Sequence, residues 1–136
     1  MILVDTSIWI ELLNGRLGDQ ITDDNLAQFV TCGSIIQEVL QGLRPNITPA
    51  AFQEAFDALP CLCDPIPSRI FVAAADIFKQ GRRRGITMRS SADCLVAAIA
   101  IETKIPVWHR DRDFDNIAQF TPLESIRLAS AGNAAC

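Results

Sequence analysis

A chain of 136 residues, of which 49% are hydrophobic and 21% charged, is long enough for one folded core and short for two, so we expect a single domain over residues 1–136 with a frayed tail at 129–136. Its net charge of −4 excludes a protein that coats nucleic acid through a general positive field, so any contact with nucleic acid must be local. No apolar run approaches the roughly 20 residues that cross a bilayer, and no secretory signal is visible, so we expect a cytoplasmic protein without a membrane partner.

The predicted elements alternate between strands and helices. In chain order they are a strand at 2–4, a helix at 7–13, a strand at 29–32, helices at 34–42 and 48–58, an extended piece at 61–66, helices at 67–84 and 90–104, and strands at 106–109 and 123–128. The strands are short apolar runs without alternation, which is typical of strands buried on both faces. Thr6 or Ser7, and later Ser34, stand at helix starts, where hydroxyl side chains cap helices.

This alternation predicts an α/β fold of three layers, in which a central, mainly parallel sheet carries helices on both faces. In such sheets the functional site lies beyond the carboxyl ends of the strands. Asp5, the end of the second strand at Cys32, and Asp111 should all emerge at that edge.

Four acidic residues stand where solubility alone does not require them. They are Asp5 after the first strand, Glu38 in the second helix, Asp93 at the head of the buried helix and Asp111 after the strand at 106–109. Two carboxylates about 4 Å apart repel each other by roughly 4 kcal/mol at an effective dielectric constant of about 20, so a cluster persists only with protons, bases or cations nearby. Oxygen ligands suit Mg²⁺ or Mn²⁺, which support phosphodiester hydrolysis without a protein nucleophile.

Each acid also has a purely structural interpretation. Asp5 can be a helix cap or a dipole partner, and Glu38 lies off the centre of its helix's apolar side, as a solvated glutamate would. Ser90 and Asp93 have the spacing of a capping box, and Asp111 fits ordinary turn chemistry.

Other chemistries fit the sequence less well. The run 111–115 resembles the opening of a calcium loop, but Asn116 and Pro122 replace the glycine and glutamate of an EF-hand. There is no Gly-rich phosphate-binding loop, and His109 is the one histidine, so a zinc set or a nucleophile elbow is not expected. Five cysteines in apolar segments favour free core thiols over a disulfide framework.

Four segments, in the same order and spanning nearly the whole chain, resemble the motifs of VapC-type PIN-domain toxins. They are residues 4–10 (VDTSIWI), 37–42 (QEVLQG), 91–98 (SADCLVAA) and 109–114 (HRDRDF). Any one of these matches alone is weak evidence, but the four together are specific.

The resemblance implies a small metal-dependent ribonuclease that works with Mg²⁺ or Mn²⁺ and is the toxin of a toxin–antitoxin pair. The residues that it assigns to the metal-binding pocket are Asp5, Glu38, Asp93 and Asp111, with Asp113 or Asp115 as auxiliaries. It also implies a homodimer and a cognate VapB-type antitoxin, encoded elsewhere, whose C-terminal segment occupies the toxin's groove and blocks the pocket.

The sequence does not decide which residues contact the RNA substrate. The candidates are Ser7, Arg89, His109, Arg110 and Arg112, together with the basic run at 82–84. The basic run is equally consistent with a solvated helix end. His109 stands two residues before the last acid, where many relatives carry a threonine, and its role is either to place substrate or water or to contact the core or a partner.

Two other functions compete with a nuclease. A phosphoacceptor signalling module would need an aspartate after the second strand, where Gly33 and Ser34 stand instead. A PIN-like scaffold that binds RNA or a partner without cutting would not need all four acids.

Overall fold

The computed structural model describes residues 1–129. Its strands are β1 Ile2–Val4, β2 Phe29–Val30, β3 Val107–His109 and β4 Ser125–Arg127. Its α-helices are α1 Thr6–Leu13, α2 Asp23–Leu26, α3 Gly33–Gln41, α4 Pro49–Asp57, α5 Ser68–Arg83, α6 Ser91–Thr103 and α7 Arg112–Ala118, and a short 3-10 helix covers Gly18–Gln20. The predicted tail lies outside the described residues from position 130 onward.

The strands form one sheet in the order β2-β1-β3-β4, and every neighbouring pair is parallel. Leu3 of β1 is paired with Val30 on one side and with Val107 on the other. The predicted α/β fold with a parallel central sheet is therefore confirmed, and the carboxyl ends of β1, β2 and β3 meet at one edge.

Both faces of this sheet are covered by helices. Val4 and Trp108 share one face because they are register partners, and Trp9 of α1 packs edge-on against Phe29, 6.2 Å between ring centroids. His109 points to the opposite face, since side chains alternate along a strand. There it packs against Phe114 of α7, 5.2 Å between centroids.

Helix α6 is the most deeply buried helix segment of the core, as its uniformly apolar sequence predicts. The residues from Val96 to Ala100 are all buried, whereas Leu95 and Ile101 at the two ends are partly exposed. Three of those five residues are alanines, and α6 packs closely against α5 along its length. This packing fixes the position of the N-terminus of α6, where Asp93 lies.

Several predicted details are wrong. Asp5, not Thr6 or Ser7, caps α1, because its Oδ2 atom accepts the Ser7 N–H at 3.0 Å. Ser34 lies inside α3, whose N-cap is Cys32 and has no side-chain hydrogen bond. The extended piece at 61–66 is mostly turn, and only Cys61 pairs with a strand-like neighbour, Thr31.

Helix α7 is absent from the sequence prediction, which leaves residues 111–122 without an element. Asp and Asn, which make up three of the seven residues of α7, are weak helix formers, so propensity alone does not indicate this helix. Two tertiary anchors offset this weakness, since Phe114 and Ile117 lie three residues apart and are both fully buried. Asp113 and Asp115 in the first turn also complement the helix dipole.

Within the described part of the chain, no helix is both long and apolar enough to cross a bilayer. The cysteines that the structure describes, Cys32, Cys61, Cys63 and Cys94, are free thiols. Burial raises the pKa of both Cys32 and Cys94 to about 11, so these two thiols are protonated and unreactive at neutral pH.

Candidate metal centre

Asp5 and Asp111 stand at the carboxyl ends of adjacent parallel strands. Each is the N-cap of the helix that follows: Asp5 caps α1, and Asp111 caps α7 by accepting the Asp113 N–H at 2.9 Å. The backbone N–H of Asp5 also donates to the Trp108 carbonyl at 3.0 Å, which ties the two strand ends together. Sequence and topology thus bring these two acids to one edge of the sheet, as predicted.

Three carboxylates converge at this edge. One oxygen from each of Asp93, Asp111 and Asp113 lies within 4.8 Å of the others. Asp93 comes from the first turn of α6 and Asp113 from the first turn of α7, and both are buried. Two helix N-termini therefore point at the cluster, and their dipoles lower the cost of placing negative charge there.

Electrostatics at Asp93 show that the cluster cannot hold three carboxylate charges unaided. Burial, and then the negative charge of Asp111, raises the pKa of the Asp93 carboxyl to about 9, with a smaller contribution from Asp5. At neutral pH the metal-free cluster therefore keeps a proton on Asp93. A cation at this place would relieve the same repulsion and displace that proton.

Asp5 and Glu38 lie beside the cluster. Burial raises the pKa of Asp5, and the charge of Asp111 adds to this effect. Burial also raises the pKa of Glu38, as do the charges of Asp5 and Asp111. These two acids are thus close enough to the cluster to interact with it, although the group within 4.8 Å does not include them.

Glu38 has an unsatisfied oxygen. Its Oε1 atom is buried and has no hydrogen-bond partner among residues 1–129, and the same holds for Oγ1 of the nearby Thr6. A buried acceptor without a partner costs roughly 1–3 kcal/mol. This oxygen is therefore not solvated, although the side chain as a whole is half-buried, and contact with the nearby Thr6 hydroxyl lowers the pKa of Glu38.

The two auxiliary acids, Asp113 and Asp115, have different neighbours. Asp113 joins the cluster and accepts the backbone N–H of Arg89 at 3.1 Å. Asp115 instead forms an ion pair with Arg127 of β4, and its Oδ1 atom lies 3.6 Å from Nε2 of His109. Of the two, the geometry places only Asp113 where it can share a ligand with Asp93 and Asp111.

His109 is completely buried beneath the cluster. Its Nδ1 atom accepts the backbone N–H of Asp111 at 3.2 Å, and its Nε2 atom has no hydrogen-bond partner in the described part of the protein. Burial lowers the pKa of the ring, which favours the neutral form. The buried ring favours the structural one of the two roles that the sequence left open for His109, and a substrate contact by this residue stays a prediction.

Ser7 joins the start of α1 to the segment that leads to Asp111. Its Oγ atom donates to Asp5 Oδ2 at 2.5 Å and accepts the backbone N–H of Arg110 at 2.9 Å. The Arg110 guanidinium in turn pairs with Glu11, a buried residue of α1 that also pairs with Arg16 at 3.4 Å. Ser7 and Arg110 thus have structural partners beside the acids.

The remaining predicted substrate residues lie on the surface. The side chain of Arg89 is exposed next to Asp113, and Arg112 is exposed at the first position of α7. Arg82 to Arg84 end α5, and the Arg84 guanidinium sits over the Phe120 ring at 4.8 Å. Arg89, whose backbone binds Asp113, and Arg112, which stands between Asp111 and Asp113 in the chain, are therefore the predicted arginines that neighbour the cluster and have exposed side chains.

The donor set fits a hard divalent cation. The set consists of carboxylate oxygens, and it includes one buried oxygen, Oε1 of Glu38, without a hydrogen-bond partner among residues 1–129. Without a cation, Asp93 stays protonated at neutral pH, which reduces the repulsion between the carboxylates. Among the described residues, the converging group contains no thiol and no imidazole nitrogen, and His109 Nδ1 is engaged by the Asp111 amide. Mg²⁺ and Mn²⁺ prefer such oxygen ligands.

Glu11 is the one residue of this region that the sequence interpretation missed. A signal for it exists, because Glu11 lies four residues after Ser7 and therefore on the same face of α1. A carboxylate on the face that meets β3 needs a cationic partner, and Arg110 after β3 supplies it.

Comparison with known proteins places the chain among proteins of one family. The family model described as "PIN domain" matches residues 2–119, a span that contains all four motifs. "VapC ribonuclease Mb1587" of Mycobacterium bovis and "Ribonuclease VapC11" of Mycobacterium tuberculosis are each 37% identical over 133 residues, covering 92% of this chain and 97% of the relative. A chain in the crystal structure of VapBC2 from Rickettsia felis, bound to a DNA fragment from their promoter, matches the fold with a TM-score of 0.70 at 12% identity, covering 95% of this chain and 100% of that one.

Proposed function

The chain belongs to the PIN-domain family, and from that premise we propose that it is a ribonuclease of the VapC kind, a toxin that a VapB-type antitoxin neutralises. The observation that carries the proposal is the convergence of Asp93, Asp111 and Asp113 within 4.8 Å at the strand ends, beside Asp5 and Glu38. The relatives named above are ribonucleases by name, and each matches nearly the full length of this chain.

We assign Asp5, Glu38, Asp93 and Asp111 as the residues that hold Mg²⁺ or Mn²⁺, with Asp113 as the auxiliary. When bound, such an ion lowers the pKa of a water molecule and offsets the charge that develops on the phosphate during hydrolysis of an RNA phosphodiester bond. The helix caps at Asp5 and Asp111 aim these carboxylates before the ion arrives. Such preorganisation saves the reorganisation that catalysis would otherwise require.

The protein's own groups prepare the site in two ways. Asp93, whose pKa is raised to about 9, holds a proton in the metal-free cluster, and a bound divalent cation would supply the positive charge that this proton provides. Ser7 holds the Asp5 carboxylate through a 2.5 Å hydrogen bond and so limits the directions in which that carboxylate can turn. The exposed side chains of Arg89 and Arg112 are the groups we assign to RNA phosphates next to the cleaved bond.

The same proposal includes two protein partners, an antitoxin and a second copy of this chain. The structure from Rickettsia felis is named VapBC2, and by its likeness we assign a VapB-type antitoxin to this chain. We also propose a homodimer, for which Phe71 and Val72 on α5 offer an apolar surface, 50% and 70% exposed. The cytoplasmic location stays a prediction from the sequence.

The test is cleavage of total cellular RNA by the purified protein, with Mg²⁺ or Mn²⁺ and with a chelator, alongside Asp5→Asn. We expect discrete fragments from the wild-type protein with metal, and none with the chelator or with the variant. Metal binding without cleavage of any RNA class would favour the non-catalytic scaffold. Stable labelling by a small phosphodonor would favour the phosphoacceptor module, and either result would contradict the nuclease.

A further inference from the structure

We propose that His109 is a positioning residue for the metal centre: its buried Nδ1 atom holds the backbone N–H of Asp111 and thereby sets the direction of the Asp111 carboxylate. The inference rests on the proposed function in one respect, because it takes Asp111 to be a metal ligand. It adds a role for a residue whose ring does not reach the surface.

The hydrogen bond to the Asp111 amide determines which ring nitrogen of His109 carries the proton. Nδ1 lies 3.2 Å from the Asp111 amide nitrogen, and an amide can only donate. Nδ1 therefore carries a lone pair, and the ring proton of neutral His109 sits on Nε2. That atom faces the Asp115 carboxylate at 3.6 Å, and Asp115 is in turn held by Arg127 of β4. The charged pair behind the ring favours the tautomer that the Asp111 amide requires.

The same hydrogen bond restrains the backbone of Asp111. This residue is the N-cap of α7 with extended backbone, φ −122° and ψ 123°, and its carboxylate accepts the Asp113 N–H at 2.9 Å. The hydrogen bond to Nδ1 fixes the amide that precedes this turn, so rotation about φ of Asp111 is restrained. The ring itself cannot move, because it is buried between the sheet and Phe114.

The restraint matters for a cation because the Asp111 carboxylate belongs, with Asp93 and Asp113, to the group of acids whose oxygens lie within 4.8 Å of one another. A rotation about φ of Asp111 would carry its carboxylate away from both neighbours. Groups that orient metal ligands from behind typically change metal affinity by about 10–100-fold when they are replaced.

The tautomer can be measured directly on the metal-free wild-type protein by nitrogen-15 NMR. We expect an unprotonated Nδ1, a protonated Nε2, and a coupling through the hydrogen bond between His109 Nδ1 and the Asp111 amide. A proton on Nδ1 would overturn the proposal, whatever the behaviour of any variant.

Two substitutions separate positioning from packing. In His109→Asn the side-chain oxygen can take the place of Nδ1 as acceptor, whereas His109→Gln places its polar atoms near Nε2 and leaves the Asp111 amide without a partner. By calorimetric titration with Mn²⁺, we expect the affinity of His109→Gln to fall by about 10-fold or more, while that of His109→Asn stays close to wild type. Circular dichroism at the titration temperature confirms that each variant is folded.

A matched control is Ile117→Val, which loosens the buried side of α7 without touching an acid. Its Mn²⁺ affinity should equal that of the wild-type protein. For RNA cleavage, His109→Gln should need more Mn²⁺ and should recover activity when Mn²⁺ is in excess, with KM for RNA unchanged because the ring does not contact substrate.

Equal losses in His109→Asn and His109→Gln, or wild-type Mn²⁺ affinity in His109→Gln, would overturn the positioning role. That failure differs from failure of the proposed function. In the first case the wild-type protein still cuts RNA with Mn²⁺. In the second it does not cut RNA, even if it binds the ion and the two variants differ as expected.

Discussion

The hydroxyl oxygen of Ser7 accepts the backbone N–H of Arg110 at 2.9 Å, although 103 residues separate the two positions. The same hydroxyl donates to Asp5 at 2.5 Å. Since Arg110 immediately precedes Asp111, one small side chain fixes the spacing between the acids that end β1 and β3.

Replacing Ser7 by alanine should therefore impair the centre more than the fold. A hydrogen bond to a charged group is worth about 1.5–3 kcal/mol, so we expect kcat/KM for RNA to fall by about 10-fold or more in Ser7→Ala. Ser34→Ala is the matched control, because Ser34 lies in the first turn of α3 and makes no capping hydrogen bond. A Ser7→Ala protein that cuts RNA at the wild-type rate would contradict the role of this contact.

Protonation of Asp93 should make the free energy of unfolding of the metal-free protein depend on pH. Its pKa rises from 3.8 to about 9 on folding, so between these values the folded metal-free protein holds a proton that the unfolded chain releases. The stability that this proton provides is greatest at low pH and is lost as pH rises toward about 9. In thermal unfolding without metal, we expect Asp93→Asn to be more stable than the wild-type protein at about pH 8 and less dependent on pH.

The exposed Asp57→Asn serves as the control for that experiment, since Asp57 lies at the end of α4 away from the cluster. It should reproduce the wild-type dependence on pH. If Asp93→Asn instead lost stability at about pH 8, the carboxyl would not be protonated in the folded protein.

Asp113 and Asp115 should differ sharply in their effect on metal binding. Asp113 belongs to the converging group, whereas Asp115 is paired with Arg127. We expect Mn²⁺ affinity to fall by about 10-fold or more in Asp113→Asn and to fall much less in Asp115→Asn, because Asp115 reaches the cluster only through His109. The measurement is calorimetric titration of the two variants side by side, and equal losses would contradict this difference between the two acids.

Glu11 should matter for stability because it is a buried carboxylate. Its side chain is 9% exposed and pairs with Arg110 and Arg16. Both arginines are about half exposed, so we expect Glu11→Gln to lower the free energy of unfolding by about 1–2 kcal/mol, less than for a fully buried pair.

The comparison for Glu11 is Glu102→Gln, which breaks the exposed pair with Arg69. Surface pairs of this kind are worth about 0–1 kcal/mol. Urea unfolding of both variants measures the difference. If the two substitutions cost the same, burial of Glu11 would not increase the strength of its ion pairs.

The places of Asp5 and Asp111 could be predicted because each follows a short apolar run, and parallel strands bring their ends to one edge. The fate of Asp113 and Asp115 could not. Within a helix, residues two apart point about 200° away from each other, so one faces the cluster and the other faces β4. Tertiary packing of Phe114 and Ile117 stabilises α7, and sequence patterns do not predict this helix. Without the helix, the sequence does not distinguish Asp113 from Asp115.

Glu38 shows a second limit of sequence patterns. Its position off the apolar side of α3 indicates a solvated side chain, because a periodic pattern describes packing against one neighbour. Helix α3 packs against α1 and also against α6, so a second flank of the helix is covered. The buried Oε1 atom of Glu38 is a consequence of that arrangement and not of its spacing.

The most direct test of the metal-dependent nuclease compares Mn²⁺ binding with Mn²⁺-dependent cleavage of RNA in one preparation of the wild-type protein and one of Asp93→Asn. We predict that the Mn²⁺ concentration giving half-maximal cleavage equals the Kd from direct titration, and that both binding and cleavage are lost in Asp93→Asn. Cleavage that survives a chelator, or that proceeds at the wild-type rate in Asp93→Asn, would contradict it.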